Sequence, residues 1–267
     1  QQMSVAKSSE KEILAGLVAD LEMVETGNYL PGQYSSTDIA QNKGRMTMWA
    51  VKALLADIYL WQEEYEKCNR KCDEIIGSGQ LLLVPVESRK IEVENTEEGT
   101  TDIYYAPDQS SYYSLFQQIY YQGNSMESIF ELQFATDNLN PFYSLMSSGR
   151  GVIGVKTERV NSDIFPPLAD EAYSGECFDI RSVISQSKSC LWKYIGVEPN
   201  GSERAQEEYT NNFIIYRLAE IYLMKAEALT QMAILDSDNQ ELLKEAYAAV
   251  KVIRDRSTAV ATTDIGQ

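Results

Sequence analysis

Aromatic side chains outside the helical segments are the residues of this chain best suited to bind a ligand. Flat rings bordered by fixed polar groups suit molecules that present C–H faces and many hydroxyls, as neutral sugars do. The candidate binding residues are Tyr104, Tyr105, Phe142, Tyr143, Asn140 and Arg150. A second interpretation stays open at this point, in which the same rings hold a long insertion against the rest of the protein.

The composition argues against catalysis. None of the 267 residues is a histidine, which removes Ser-His-Asp and Cys-His nucleophiles, histidine general acid–base catalysis and every His-containing zinc site. Glycosidases place two carboxyl groups across the scissile bond, and the adjacency of Glu97 and Glu98 does not produce that arrangement. We therefore expect a protein that is not an enzyme.

Neither the acidic residues nor the cysteines form a metal motif. Residues 92–102 carry five carboxylates but lack the ordering of an EF-hand, and we interpret them as a solvated loop rather than a calcium site. Cys68 and Cys72 lie four apart in a predicted helix, whereas Cys177 and Cys190 follow far downstream. We expect Cys68 and Cys72 to be small packing residues, and we expect no metal or cofactor.

The net charge restricts the partners. The chain has a formal charge of −17, so it lacks the basic surface that nucleic acids or an anionic membrane surface require. No run of 18 apolar residues is present, and no signal peptide opens the chain, which starts close to a helix. We expect no nucleic-acid partner and no membrane-spanning segment.

Three helices are predicted in the first 80 residues. Ser9 and Glu12 form a capping box at the start of an amphipathic helix over residues 9–25. A second helix is predicted from Asn42 to Trp61, and a third follows a tight turn and carries Tyr65, Cys68, Cys72 and Ile76. Ala56 and Cys68 are small residues twelve apart, as in the helical hairpin of a tetratricopeptide repeat.

A second helical hairpin is predicted near the end of the chain. Residues 212–229 are apolar on nearly every helical face, which is typical of a buried helix. A partner helix follows through residues 242–253, with its cap near Ser237 or Asp238. Between the hairpins, residues 128–134 and 191–195 are predicted to be short strands.

The three tryptophans are assigned mainly to packing. We expect Trp49 to lie in the core, because its helix is almost entirely apolar. Trp61 is expected to pack at the end of the helical hairpin. Core packing is favoured for Trp192, with a ligand contact as the alternative.

Residues 212–228 also resemble the signature segment of the SusD/RagB family, with the pattern Asn-x-x-Ile-x-Arg-x-Ala-Glu-x-Tyr-Leu-Met-x-Ala-Glu-Ala. Further segments are similar to the family in the same order along the chain. They are Asp20-Leu21, residues 52–60, residues 127–134, Asp179-x-Arg181 and residues 252–256. The family's lipidated N-terminal cysteine and its C-terminal segment are not seen, so we expect this to be a partial chain.

The resemblance implies a mainly α, SusD-like fold, with tetratricopeptide-like hairpins and a loop-rich insertion that contains short strands. We expect residues 1–80 and 212–267 to form the helical scaffold and residues 81–211 to form the insertion and ligand-binding region, within one integrated domain. The implied function is non-catalytic capture of oligosaccharide in polysaccharide utilisation, at the outer membrane and cell surface. The implied lipoprotein delivers its ligand to a TonB-dependent transporter of the SusC type.

Two alternatives to oligosaccharide capture stay open. Some members of the family bind peptides. Separately, tetratricopeptide proteins scaffold other proteins through a concave groove, and an acidic groove would favour basic segments. The long aromatic insertion argues against a pure scaffold.

Overall fold

The protein is mainly helical, and its chain divides into two compact units. The computed structural model describes residues 7–86, 88–95, 99–107, 114–147, 152–154, 156, 164, 179–181, 186–187, 190–196, 198 and 202–257. One unit comprises residues 1–81 and 216–250, and the other comprises residues 82–215 and 251–267. We call them the helical unit and the mixed unit.

The helical unit is built from amphipathic and buried helices. Its helices are α1 (Glu10–Thr26), α2 (Ile39–Lys43), α3 (Met48–Trp61), α4 (Tyr65–Ile76), α7 (Leu218–Leu235) and the first part of α8 (Gln240–Arg256). Helices α3 and α4 form the predicted hairpin, α7 packs on both of them, and α1 packs on α3. The central side chains, which include Leu55, Ile75 and Leu229, are fully buried.

The capping predictions are confirmed at α1 and corrected at α8. The side chain of Ser9 accepts the backbone N–H of Glu12, and the side chain of Glu12 accepts the backbone N–H of Ser9, as a capping box requires. At α8, the side chain of Asn239 accepts the N–H of Glu241 at 3.0 Å, so neither Ser237 nor Asp238 is the cap. Both of those residues have positive φ angles and form the turn instead.

The predicted helix over residues 42–61 is wrong in its first part, because the structure contains two helices there. The N–H of Gly44 bonds to the carbonyl oxygen of Ala40 and ends α2. The hydroxyl of Thr47 then accepts the N–H of Ala50 at 3.3 Å and begins α3.

Cys68 and Cys72 on α4 are free and fully buried, which confirms their packing role. The finer tetratricopeptide geometry stays a prediction.

The mixed unit contains the short strands, and three segments differ from expectation. Its strands are β1 (Ser88–Asn95), β2 (Thr100–Pro107), β3 (Ser128–Leu132), β4 (Gln186–Ser187), β5 (Cys190–Leu191) and the first three residues of β6 (Phe213–Arg217). The described parts of the acidic stretch, residues 92–95 and 100–102, lie on the antiparallel strands β1 and β2 rather than in a loop. Residues 213–217 are a strand paired with β3 rather than the start of a helix. Residues 192–195 are a helical turn, α6 (Trp192–Ile195), so only the start of the predicted strand is extended.

These differences have a common physical reason. Phe213, Ile214, Ile215 and Tyr216 are β-branched or aromatic and favour extended backbone, while the good helix formers begin only at Leu218. Hydrophobicity alone does not distinguish a buried strand from a buried helix. The predicted strand over residues 128–134 is confirmed as β3.

Trp61 is the clearest error among the tryptophans. It is 71% exposed instead of packing at the end of the hairpin, and its indole Nε1 donates to a carboxylate oxygen of Glu10 at 2.7 Å. Trp49 is half-buried beside Gly32. Trp192 begins α6.

A cluster of four charged residues joins α1 to α3 and α4. Glu25 accepts hydrogen bonds from Lys52 and Lys71, each at 2.7 Å, and both lysines also contact Glu74. Burial raises the pKa of Glu25, but the hydrogen bonds and charges of the two lysines outweigh it and leave that pKa below its ordinary value of 4.5. The ionised form of Glu25 is therefore favoured by folding.

This cluster predicts a loss of stability in acid. Because the pKa of Glu25 is lower in the folded chain than in the unfolded chain, its contribution is complete above the unfolded value and disappears as pH falls through the folded value. Glu25→Gln should cost about 1–2 kcal/mol of unfolding free energy at pH 7 and much less in acid. Urea unfolding of wild type and variant at several pH values measures the cost at pH 7 and the cost in acid. The exposed Glu66→Gln variant is the control, and an equal cost of Glu25→Gln at every pH would contradict the prediction.

Candidate functional site

Three partly buried aromatic rings lie together in the mixed unit. We call Phe142, Phe213 and Tyr194 the aromatic row. The ring centroids of Phe142 and Phe213 are 4.8 Å apart, and those of Phe213 and Tyr194 are 6.1 Å apart with planes only 14° from parallel. All three residues are half-buried, so part of each remains open to solvent. The planes of Phe142 and Phe213 are tilted by 47°, and both tilted and stacked ring pairs at these distances are favourable contacts.

Different elements supply the three rings. Phe142 directly precedes the one-turn helix α5 (Tyr143–Met146), Tyr194 lies on α6, and Phe213 opens β6. Helix α6 packs against α5 and against the π-helical turn Gln117–Tyr121. The row is thus held by elements distant in sequence, and its geometry depends on their packing.

Two buried asparagines brace the row. Asn140 accepts the backbone N–H of Phe142 at 2.9 Å, and its Nδ2 donates to the carbonyl oxygen of Asn211 at 2.8 Å. Asn211 in turn donates from Nδ2 to the carbonyl oxygen of Tyr194 at 3.0 Å. We call this pair the amide brace. It fixes the backbone beneath the rings, and preorganised rings lose little entropy when a ligand binds.

One cation borders the row. The ammonium group of Lys193 lies 4.7 Å from the ring centroid of Tyr194, within the range of a cation–π contact. Lys193 is exposed, so it can also reach solvent or a ligand. The site therefore combines apolar ring surface with an exposed hydrogen-bond donor.

The structure places the predicted binding residues in different surroundings. Phe142 joins the aromatic row, whereas Tyr143 packs edge-on against the buried Tyr209, with 4.9 Å between ring centroids. Asn140 is only 3% exposed and belongs to the brace. Burial raises the pKa of Tyr209, as expected for a phenol in the core of this unit.

The remaining predicted residues are less informative. Tyr104 and Tyr105 lie on β2, opposite Ile91 and Lys90 in the hairpin register. Arg150 lies outside the described residues. Ligand contact by the predicted set therefore stays a prediction.

Sequence reasoning missed Tyr194 and Phe213. The sequence pattern predicts a strand around Tyr194 and a buried helix around Phe213, so neither residue is identified as a loop aromatic. The run of β-branched and aromatic residues after a polar loop is the signal that could have identified β6 and its first residue.

Neither a metal site nor a membrane span is found within the described ranges. There, no group of three or more histidine, cysteine or acidic residues is arranged to hold a metal ion. Over the same ranges, no helix has the length and apolar character needed to cross a bilayer.

Comparison with known proteins identifies the class of fold. The SusD family model matches residues 185–265, which is less than half of the chain. A SusD-like protein from Bacteroides fragilis NCTC 9343 has a similar structure, with a TM-score of 0.59 and 20% identity over 99% of this chain and 56% of its own. No curated protein matches.

Two proteins described as surface glycan-binding protein A are also similar in structure. The one from Bacteroides uniformis has a TM-score of 0.58 and 18% identity, over 99% of this chain and 55% of its own. The one from Bacteroides thetaiotaomicron, in complex with laminarihexaose, has a TM-score of 0.54 and 20% identity, over 95% of this chain and 56% of its own.

These comparisons confirm the resemblance seen in the sequence: the chain has the SusD-like fold, and its C-terminal part matches the SusD family. The chain spans about half the length of the solved structures that it matches.

Proposed function

We propose that this chain is part of a surface protein that captures oligosaccharides without chemically changing them. The observation that carries the proposal is the aromatic row on its amide brace. The half-buried rings offer apolar surface for the C–H faces of sugars, with Tyr194 and Phe213 nearly parallel and Phe142 tilted by 47° from Phe213, and nearby polar groups can bind the hydroxyls. The SusD-like fold, which is shared with a protein solved in complex with laminarihexaose, supports the same ligand class.

The absence of turnover is part of the proposal. The chain has no histidine. The described residues that form the row and its brace are three aromatic rings and two amides, rather than a pair of carboxyl groups facing one another. Its chemistry is therefore suited to binding rather than to bond cleavage.

Delivery is the second part of the proposal. The family resemblance favours transfer of the bound sugar to a TonB-dependent transporter of the SusC type. It also favours lipid anchoring at the outer membrane. Co-purification of this protein with its transporter from outer membranes would test this part separately from sugar binding.

Tyr194→Ala tests the role of the aromatic row. Removing one ring of the stack should weaken binding of the best oligosaccharide about tenfold, because an aromatic contact contributes roughly 1 kcal/mol beyond its buried area. Isothermal titration of wild type and variant measures the change, and a panel of neutral oligosaccharides that includes laminarihexaose supplies the ligand.

The matched control is Tyr247→Ala, which removes a 41% exposed aromatic ring from the helical unit. Its affinity should equal that of wild type. If Tyr194→Ala binds as tightly as the control, the aromatic row is not the binding surface.

A further inference from the structure

A second group of residues lies beside the aromatic row and is organised around Tyr121. The guanidinium carbon of Arg204 lies 3.9 Å from the ring centroid of Tyr121, and Nη2 of Arg204 donates to the carbonyl oxygen of Tyr121 at 2.9 Å. The hydroxyl of Tyr121 donates to a carboxylate oxygen of Glu198 at 2.9 Å. The ring is thus held on one face by a cation and at its tip by an anion.

Glu198 is itself held in place. Its backbone N–H donates to the carbonyl oxygen of Ser202 at 2.7 Å, which restrains the backbone of Glu198. Glu198 and Tyr121 are both half-buried, so part of each is open to solvent. Burial and then the hydrogen bond with Glu198 raise the pKa of Tyr121, so its hydroxyl keeps its proton at neutral pH.

Gly196 connects this group to the aromatic row. Gly196 is midway in sequence between Tyr194 and Glu198. Its φ of +64° is a backbone conformation that favours glycine. A Cβ atom at Gly196 would lie 3.2 Å from Cβ of Asn211 in the amide brace and 3.5 Å from the guanidinium carbon of Arg204. Gly196 therefore lies between the amide brace and Arg204. Tyr194 and Glu198 are four positions apart in the chain, which limits their separation to about 14 Å, so one short oligosaccharide could contact both.

We infer that Tyr121, Glu198 and Arg204 form a polar subsite that binds hydroxyl groups of a neutral oligosaccharide whose rings stack on the aromatic row. This inference rests on the proposed function. Glu198 is the hydroxyl-binding group, because a carboxylate accepts hydrogen bonds from two neighbouring hydroxyls. Tyr121 and Arg204 are positioning residues that hold Glu198 and the ring.

The charges of the subsite select against acidic sugars. Arg204 is 5% exposed and already engages Tyr121 and the hydroxyl of Thr210, so it is not presented to a ligand. A uronic acid at this position would meet the carboxylate of Glu198. Lys193 is a positive charge that could attract an acidic sugar, but it lies beside Tyr194 in the aromatic row rather than beside Tyr121 in the subsite. A neutral oligosaccharide is therefore the expected ligand.

Glu198→Gln tests the inference with little change in shape. We expect its affinity for the best neutral oligosaccharide to fall about fivefold, since an amide replaces a charged acceptor. We also expect wild type to bind the corresponding uronic-acid oligosaccharide at least about tenfold more weakly than the neutral one. Glu198→Gln should reduce this ratio of the two affinities. Selectivity is a readout that a purely structural role of Glu198 would not change.

Two further variants complete the experiment. Tyr121→Phe removes only the hydroxyl that holds Glu198 and should lower affinity about threefold. Glu207→Gln, an exposed carboxylate on the 3₁₀ turn Gln206–Glu208, should bind like wild type in both titrations.

The outcomes separate the inference from the proposed function. Unchanged affinity and selectivity in Glu198→Gln, together with weaker binding by Tyr194→Ala, would overturn the polar subsite and leave sugar capture standing. If the wild-type protein bound no oligosaccharide, both would be overturned. Binding of basic peptides in place of sugars, weakened by Glu198→Gln, would also overturn the inference and assign the carboxylate to a cationic ligand.

Discussion

Replacing Arg256 by methionine should lower the free energy of unfolding by about 3–5 kcal/mol. Arg256, in the last turn of α8, donates from Nη1 to a carboxylate oxygen of Glu127 at 2.8 Å. The side chain of Glu127 is fully buried, and that of Arg256 is 8% exposed. Without the guanidinium, the charge of Glu127 would be left in a medium that solvates it poorly, whereas methionine preserves most of the packing.

Two variants distinguish charge from packing in this experiment. Lys251→Met breaks an exposed pair with Asp255 on the same helix and should cost less than about 1 kcal/mol. Adding Glu127→Gln to Arg256→Met should recover part of the loss, because a neutral amide replaces a buried carboxylate that has lost its ion-pair partner while keeping the hydrogen bond from the N–H of Val84. Urea unfolding followed by fluorescence measures all of them. Equal losses in Arg256→Met and Lys251→Met would contradict the prediction.

Asn212→Ala is the second substitution with a large expected effect, about 2–4 kcal/mol. Its Nδ2 donates to the fully buried Glu131 at 2.8 Å and to Gln133 at 3.1 Å, and its Oδ1 accepts the N–H of Phe134 at 3.2 Å. At Gly123, whose φ is +68°, a Cβ atom would lie 2.7 Å from Nδ2 of Asn212, so the network is closely packed. Truncation would leave several buried polar groups with fewer partners.

The matched control is Asn138→Ala. Asn138 is exposed, and the bonds that join it to Ala135 are formed by its backbone. That substitution should stay within about 0.5 kcal/mol of wild type. Urea unfolding of both variants is the measurement, and a cost for Asn212→Ala no larger than that of the control would show that the buried network contributes little.

The helices were predictable where local signals agree. The capping box at Ser9 and Glu12 and the apolar stripe of α4 both led to correct helices, because caps and helical periodicity are properties of a few neighbouring residues. The break at residues 44–47 was also encoded locally, by Gly44 and by Thr47 as a cap, but the continuous apolar pattern concealed it.

Asn212 shows what the family pattern could and could not reveal. The signature beginning at this residue indicates the right class of fold, yet its continuous apolar pattern predicts one long helix. Asn212 instead precedes β6 and bonds to Glu131 and Gln133. Pairing between β3 and β6 joins residues about eighty positions apart, and such nonlocal contacts leave no periodic signal in a single sequence.

The candidate site was predictable only in part for the same reason. Phe142 and Asn140 were identified because they are an aromatic and an amide in a polar stretch. Tyr194 and Phe213 join them only after α5, α6 and β6 have packed together. The amide brace likewise depends on Asn140 meeting Asn211, a contact that composition and spacing do not encode.

The most direct test of oligosaccharide capture is a screen of the protein against an array of oligosaccharides and peptides. Isothermal titration and product analysis after long incubation would follow for each hit. Our account predicts saturable binding to one class of neutral oligosaccharide, weakened by Tyr194→Ala, with the sugar recovered intact. Cleavage of the sugar, or binding to peptides alone, would contradict it.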